Sequence, residues 1–442
     1  MKKTLCFVVA ALLLFSLTLT GCGNEKADPG GAEKPEVGED TGQAEKPKEA
    51  TISFWYTANE ADPNDRDNNW QVENIELFTK ANPHIKIEKT VIGGAGGQNF
   101  RTKLVAEAAS GNLPDVFMTW TGDKLAPMVR MGAVMALDDV IAGDPALKEV
   151  VNTDNLGNCT FDSKVYALPD AMDCLGVFYN KELFEQYNLT PPKNIDDLIK
   201  VSKTFKENDI IPVALGNSVK WVTQIPYTYI LTDLEPALFD TPKEELDFST
   251  QVFKDAGKQL KEIVDAGVFM DNFNGVAPAE SRAAFTEGKA AMHVQGTWQT
   301  RGVEKALGDK AGFIPFPTKS GQAEYMLKVL PKGYAVSAET KEKEAALAFL
   351  KFMFTEERQV AFAQNGVLLP TKNINLDAES IGPLYSEIVK THGNYKGVES
   401  VQTLAPNVAV SEEVKSVIQN ITTDADIDEQ FNMLQEFNKE NK

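Results

Sequence analysis

The sequence predicts an α/β protein in two lobes, and three observations carry that reading. About 390 residues follow a polar N-terminal stretch, more than one ordinary hydrophobic core organises. From Thr51 onward short apolar runs alternate with amphipathic helical patterns, the grammar of a sheet flanked by helices. The same alternation recurs from about Ile195 onward, as a second lobe of the same class requires.

Thr51 to Tyr56 reads as a buried first strand, and a polar loop to Asn69 leads into a helix over 70–81 with Val72, Ile75 and Phe78 on one side. Asn82-Pro83 stops that helix, because the residue before proline is driven out of helical geometry. Ile85 and Ile87 alternate with Lys86 and Glu88 as a strand. Gly93 to Gly97 form a loop, and Phe100, Leu104 and Ala108 mark a helix that Gly111 closes. Asp115 to Met118 is a third strand. This order predicts a mainly parallel sheet, whose ligands gather at the carboxyl ends of its strands. Later come helices over 195–206 and 251–266, a strand over 290–294, and helices over 341–354 and 355–364, with Ala345, Ala348, Phe349 and Phe352 as an apolar stripe.

The N-terminus sets the compartment. Lys2 and Lys3 precede an apolar run from Leu5 to Leu19, the arrangement of a secretory signal and too short for a comfortable membrane span. Leu19-Thr20-Gly21-Cys22 resembles the lipobox of bacterial lipoproteins, which implies cleavage after residue 21 and lipidation of Cys22 as a membrane anchor on the outer, extracytoplasmic face. Residues 22–50 hold almost no large apolar side chain and read as a flexible tether reaching roughly 30 Å.

The chain carries 44 Lys and Arg against 64 Asp and Glu, and removing a leader that holds two lysines and no acid leaves about −22. So acidic a body is a poor partner for nucleic acid or anionic lipid, leaving the lipid anchor as the only membrane contact. Hydrophobic content of 43% with 24% charged residues is that of a soluble globular protein. Cys159 and Cys174 flank a hairpin with its turn near Asp162-Ser163-Lys164. Direct cross-strand register does not set them opposite each other, which favours two buried free thiols over a disulfide.

Several segments resemble the extracellular solute-binding proteins of family 1, the sugar-binding components of ATP-binding-cassette (ABC) importers, to which maltose-binding protein also belongs. They are Lys103 to Val116, with Ser110-Gly111-Asn112-Leu113-Pro114-Asp115-Val116 at its end; Tyr166-Ala167-Leu168-Pro169 followed by Gly176 to Phe184; Ala284 to Met292 with Gly296-Thr297-Trp298; and Lys343 to Gly366 ending in Leu369-Pro370. The resemblance implies a two-lobed periplasmic-binding-protein-like (type II) fold with a hinge and an interlobe cleft. It places the first lobe at 51–137 plus 296–342 and the second at 138–295 plus 343–442. It also implies a monomer that binds a mono- or oligosaccharide, hands it to permease subunits and performs no catalysis.

A sugar offers apolar C–H faces and a rim of hydroxyls, so its site needs flat aromatics and fixed carboxylates or amides. Trp55, Trp120, Trp221 and Trp298 lie at or just past strand ends. Trp55 is balanced between core packing and ligand contact, whereas Trp70 opens a helix and reads as packing. Among polar groups, Asp173 lies where similar proteins carry a sugar-binding acid, and Asp170 could take the role. Asn59 and Glu60 occupy the first loop, Thr121 and Asp123 flank Trp120, and Tyr334 and Asn365 complete the candidate set.

Other classes find less support. His84, His293 and His392 form no zinc spacing, no Gly-x-Ser-x-Gly elbow exists, and no Lys-Ser or Lys-Thr follows the glycine loop. The cluster Asp62, Asn64, Asp65, Asp67, Asn68 and Asn69 lacks the glycine and the completed pattern of a calcium loop. The sequence therefore calls for no cofactor and no metal. An extracellular glycoside hydrolase needs an acid pair recognisable only in space. A peptide or polyamine ligand stays open. An anion is disfavoured because no arginine stands beside Trp120, Trp221 or Asp173 in sequence.

Overall fold

The strand Ala50–Tyr56 (β1) buries Ile52, Phe54 and Tyr56 on one face, as the two-residue period of a strand dictates. A computed structural model describes residues 47–441 apart from 62–64, 94–96, 323, 330–331, 378–379 and 393. The expected leader, Cys22 and the tether up to residue 46 lie outside the described residues, as do Asp62, Asn64 and Gly94 to Gly96.

Helix Arg66–Ala81 (α1) begins where the Asp65 carboxylate accepts the Asn68 N–H at 2.7 Å, satisfying one of the amides a helix start leaves free. Strand Ile85–Val91 (β2) follows. Helix Gln98–Ser110 (α2) then closes on Gly111 at φ +70°, and Val116–Trp120 (β3) completes the unit. β1 runs parallel between β2 and β3. Ser53 of β1 donates through N and Oγ to Asp115 at 2.8 and 2.7 Å, fixing the start of β3 against its neighbour.

The remaining strands are Thr160–Phe161 (β4), Lys164–Val165 (β5), Leu168–Pro169 (β6), Asp173–Asn180 (β7), Ile211–Ala214 (β8), Ala290–Gly296 (β9), Ala311–Ile314 (β10), Tyr325–Val329 (β11), Lys332–Val336 (β12) and Lys396–Val398 (β13). β4 and β5 form the expected hairpin, with Asp162 and Ser163 at φ +48° and +61°, the positive pair a two-residue turn demands. One sheet has the order β2-β1-β3-β12-β6. The other runs β13-β11-β7-β9-β8, with β10 also paired to β7.

Two expectations are corrected here. The sheets are mixed rather than mainly parallel: β12 is antiparallel to β3 and β6, and β7 is antiparallel to β9, β10 and β11. A strand arriving from the other sheet enters at the cleft end, so Lys332 pairs with Trp120, the last residue of β3. The crossings between sheets also fall elsewhere than 137/138, 295/296 and 342/343. Leu147, Val150, Leu156 and Leu168 belong to the first core, as do Ala346, Phe349 and Leu350 of helix Lys343–Met353. Val303, Phe313, Phe316 and Leu327 belong to the second. β6 and β7 therefore lie in different sheets, as do β11 and β12, and the chain crosses again after that helix. Strands of two residues such as β6 leave no periodicity to mark their sheet.

Between the cores, Trp70 stacks on Phe362 at 4.4 Å and 12°, with the Arg358 guanidinium 4.4 Å from its ring. Trp70 is thus packing, as expected. Cys159 and Cys174 are free and buried, one in each core, and burial pushes both thiols up to about 12. His293 is a satisfied core histidine, bonded to Ala214 O and Gln299 Oε1 at 3.0 Å each, and burial lowers it to about 4.

Candidate ligand-binding cleft

Strands of both sheets direct their carboxyl ends at one space. β3 ends in Trp120, β8 leads into the segment holding Trp221, β9 into Trp298, and β13 into Glu399 to Ala405. Together with the first turns of α2 and with helix Val408–Asn420 they enclose a cleft of about 460 Å³, a volume suited to a ligand of a few rings.

On the first-sheet side, Trp120 lies edge-on to Phe100 at 6.2 Å, and the Arg101 guanidinium sits 4.8 Å from its ring centroid. The ring approaches the backbone closely at Gly97, where a β-carbon would fall 2.1 Å from Trp120 Cη2. Glycine is required there twice over, since Gly97 also adopts φ +69°. Thr121 is buried beside Trp120, and Lys124 Nζ meets Asp123 at 2.8 Å.

On the second-sheet side, Trp221 and Trp298 stand 5.6 Å apart at 57°, and Trp298 folds back over Gly296. Two tilted indoles give a wall on which a sugar ring can rest its apolar face. Lys415 Nζ meets Glu412 at 2.5 Å. Asn158, from the first core's margin, donates to Glu399 Oε1 at 2.5 Å, a hydrogen bond that spans the two sides.

At the start of β7, which reaches the cleft through Leu175, lies a charge cluster of buried Asp170 and Asp173 with half-buried Arg66, Asp67 and Lys332. Arg66 donates to Asp67 Oδ1 at 2.8 and 3.1 Å, and Lys332 pairs with the other Asp67 oxygen. Burial is the largest influence on Asp67 and would raise it, yet the two cations hold its carboxyl well below the usual range. Among the described residues Asp170 and Asp173 have no such partner within bonding distance, and burial dominates: Asp170 is raised, and Asp173 is pushed up to about 6 despite accepting from Thr297 Oγ1 at 3.1 Å. Among the described residues Arg66 Nη1 and Asp170 Oδ1 are buried without a protein partner, a costly state unless water or a ligand group completes it.

The structure thus gathers Trp120, Thr121, Asp123, Trp221 and Trp298 around one cleft and sets Asp170 and Asp173 in the cluster at the start of β7. The remaining candidates stand elsewhere. Trp55 packs on the first core, with Lys103 Nζ 4.8 Å from its ring. Asn59 is exposed, and Glu60 pairs with Lys89 at 2.8 Å. Tyr334 is buried in the first core, its hydroxyl accepting from Gln71 Nε2 at 2.6 Å. Asn365 closes helix Glu356–Gln364 by donating to Ala361 O. Arg101 and Lys415 also line the cleft and lie outside the set expected from sequence. The strand-end rule points to the first turns of α2, because that helix follows β2, whereas β13 is three residues long and gives no readable pattern.

Two mixed α/β lobes with a cleft at their strand ends define the two-lobed binding proteins of the type II periplasmic class. The chain belongs to the bacterial extracellular solute-binding protein family, matching it over residues 61–360. An ABC transporter extracellular-binding protein of Pyrococcus horikoshii is 25% identical, covering 96% of this chain and 93% of that one. The multiple sugar-binding protein of Streptococcus mutans is 23% identical, over 69% and 73% of the two chains. A structure described under xylan utilization by Caldanaerobius polysaccharolyticus superposes with a TM-score of 0.78 at 25% identity, over 88% of this chain and 99% of that one. Among the described residues no helix is long and apolar enough to cross a membrane.

Proposed function

We propose that the protein is a lipoprotein anchored through Cys22 on the outer face of the membrane, where as a monomer it binds an oligosaccharide and presents it to the permease subunits of an ABC importer. The observation that carries this reading is the cleft wall formed by Trp120 on one side and Trp221 with Trp298 on the other. Indole faces supply stacking area, and the carboxylates and amides between them serve hydroxyls. The names of the relatives add support, since one is a sugar-binding protein and another an ABC transporter binding protein. A polyamine is a poor match, because Arg101, Lys124, Lys243 and Lys415 line the same cleft. The protein does no chemistry on its ligand and releases it intact.

A thermal-shift screen of the mature chain against a panel of oligosaccharides tests the reading. A ligand at one hundred times its dissociation constant stabilises by about 2.7 kcal/mol. The sugar that stabilises the protein should be recovered unchanged after incubation. Turnover abolished by mutating one acid pair would instead make the protein a hydrolase, and a panel without a single stabilising sugar would end the sugar reading.

A further inference from the structure

We infer that the sugar taken by this cleft carries a carboxylate, as a uronic acid does; the inference rests on the sugar reading above. It starts from a contrast between the cleft and the whole chain. The protein is acidic throughout, at a formal −20, yet its cleft is lined by four cations, Arg101, Lys124, Lys243 and Lys415, against the three carboxylates of Asp123, Glu399 and Glu412.

Each carboxylate already has a local partner: Asp123 holds Lys124, Glu412 holds Lys415 and Glu399 accepts from Asn158. An ammonium has three donors, so both lysines keep donors for a further acceptor after these pairs are made. Arg101 lies over Trp120 and donates to Gln98 Oε1, so a ring held near that indole has beside its substituents a guanidinium, the group whose planar shape suits a carboxylate.

Lys415 is also poorly solvated, with a side chain only 12% exposed: burial lowers its pKa most, the bond to Glu412 opposes that, and the charges of Lys124 and Arg101 add a smaller repulsion. An anion entering beside a desolvated ammonium offsets its burial cost together with the remaining like-charge repulsion. A neutral sugar would leave that repulsion in place and add desolvation.

The test compares matched ligands on the mature chain: trigalacturonic acid against its methyl ester, and xylo-oligosaccharides with and without a glucuronic acid branch. The acid form of at least one pair should bind about ten- to a hundredfold more tightly than its neutral partner, the range of a charge-assisted hydrogen bond, and that advantage should shrink with added salt. Lys415→Met, which keeps the stem, and Arg101→Gln should each erase most of the difference between the acidic and the neutral partner. Two independent variants guard against one that fails to fold. Neutral and acidic partners binding equally would overturn this inference and leave the sugar reading standing. Binding of neither partner in both pairs would overturn this inference, and the sugar reading then stands or falls with the wider oligosaccharide panel.

Discussion

Trp221 and Trp298 approach to 5.6 Å between ring centroids, although one follows β8 and the other follows β9. β8 and β9 are parallel neighbours, and Asn217 Oδ1, by accepting from Val222 N and Thr223 N at 3.1 Å each, holds the segment that carries Trp221 back against the end of β9. If this pair is a stacking wall, Trp221→Ala or Trp298→Ala should cost about 1 to 3 kcal/mol of sugar binding, roughly 5- to 150-fold in affinity. Both side chains are only half-buried, so stability should fall less than for Trp70→Ala, where about 3 to 5 kcal/mol is expected. Calorimetric titration and denaturant unfolding separate the two effects. Parent-like binding by both folded variants would remove the wall from the site.

Asp173 gives the cleft a pH dependence. Its carboxyl is raised to about 6 by burial, so between its ordinary value and about 6 the native chain holds a proton that the unfolded chain has released. Stability from this group therefore falls as pH rises through that window and is level above it. Asp173→Asn should gain stability relative to the parent over the same window. If the ionised carboxylate accepts from a ligand hydroxyl, the parent's affinity should drop as pH falls below about 6, and the variant should bind more weakly with a flatter profile. Identical pH profiles for the two proteins would exclude Asp173 from the site.

Gly97→Ala tests the seat of Trp120. The added methyl carbon would overlap the indole at 2.1 Å, and the backbone at φ +69° adds strain. The strain alone is worth about 1 to 3 kcal/mol. The ring should swing away, with a shifted fluorescence maximum and weakened binding. Unaltered emission together with parent affinity would show that Trp120 does not depend on this contact.

Replacing Cys22 with Ser should release the protein from membranes into the medium or periplasm. Full membrane retention, together with no acyl group on Cys22 of the parent, would refute the anchor.

Sequence patterns reached the elements that obey a clear period. β1, α1, β2, α2 and β3 fall within a few residues of their expected bounds, as do helices Ile195–Lys206 and Gln251–Asp265. The rule that ligands gather past strand ends also pointed to Trp120, Trp221 and Trp298. Properties set by pairing between distant segments were not legible. No local pattern reveals that β12 inserts beside β3, or that Phe313 and Leu327 pack with Val177 rather than with Phe117. Arg101 was set aside because it lies well upstream of Trp120 in sequence. One helix later the chain returns, and the guanidinium rests on the ring. Tyr334 had the composition of a binding residue, but its strand sits inside a sheet, where a phenol finds its partner in Gln71.

The insertion of β12 also bears on how the chain matures. The first sheet cannot be finished until Lys332–Val336 and helix Lys343–Met353 have been synthesised, because both supply parts of its interior. Every earlier nascent intermediate lacks the strand between β3 and β6 and leaves Phe54 and Phe117 without their cover. Contacts over such sequence separations form late and slowly. A chain built this way cannot close its first core before most strands of the second sheet have been made, so the two lobes mature in overlapping rather than successive order.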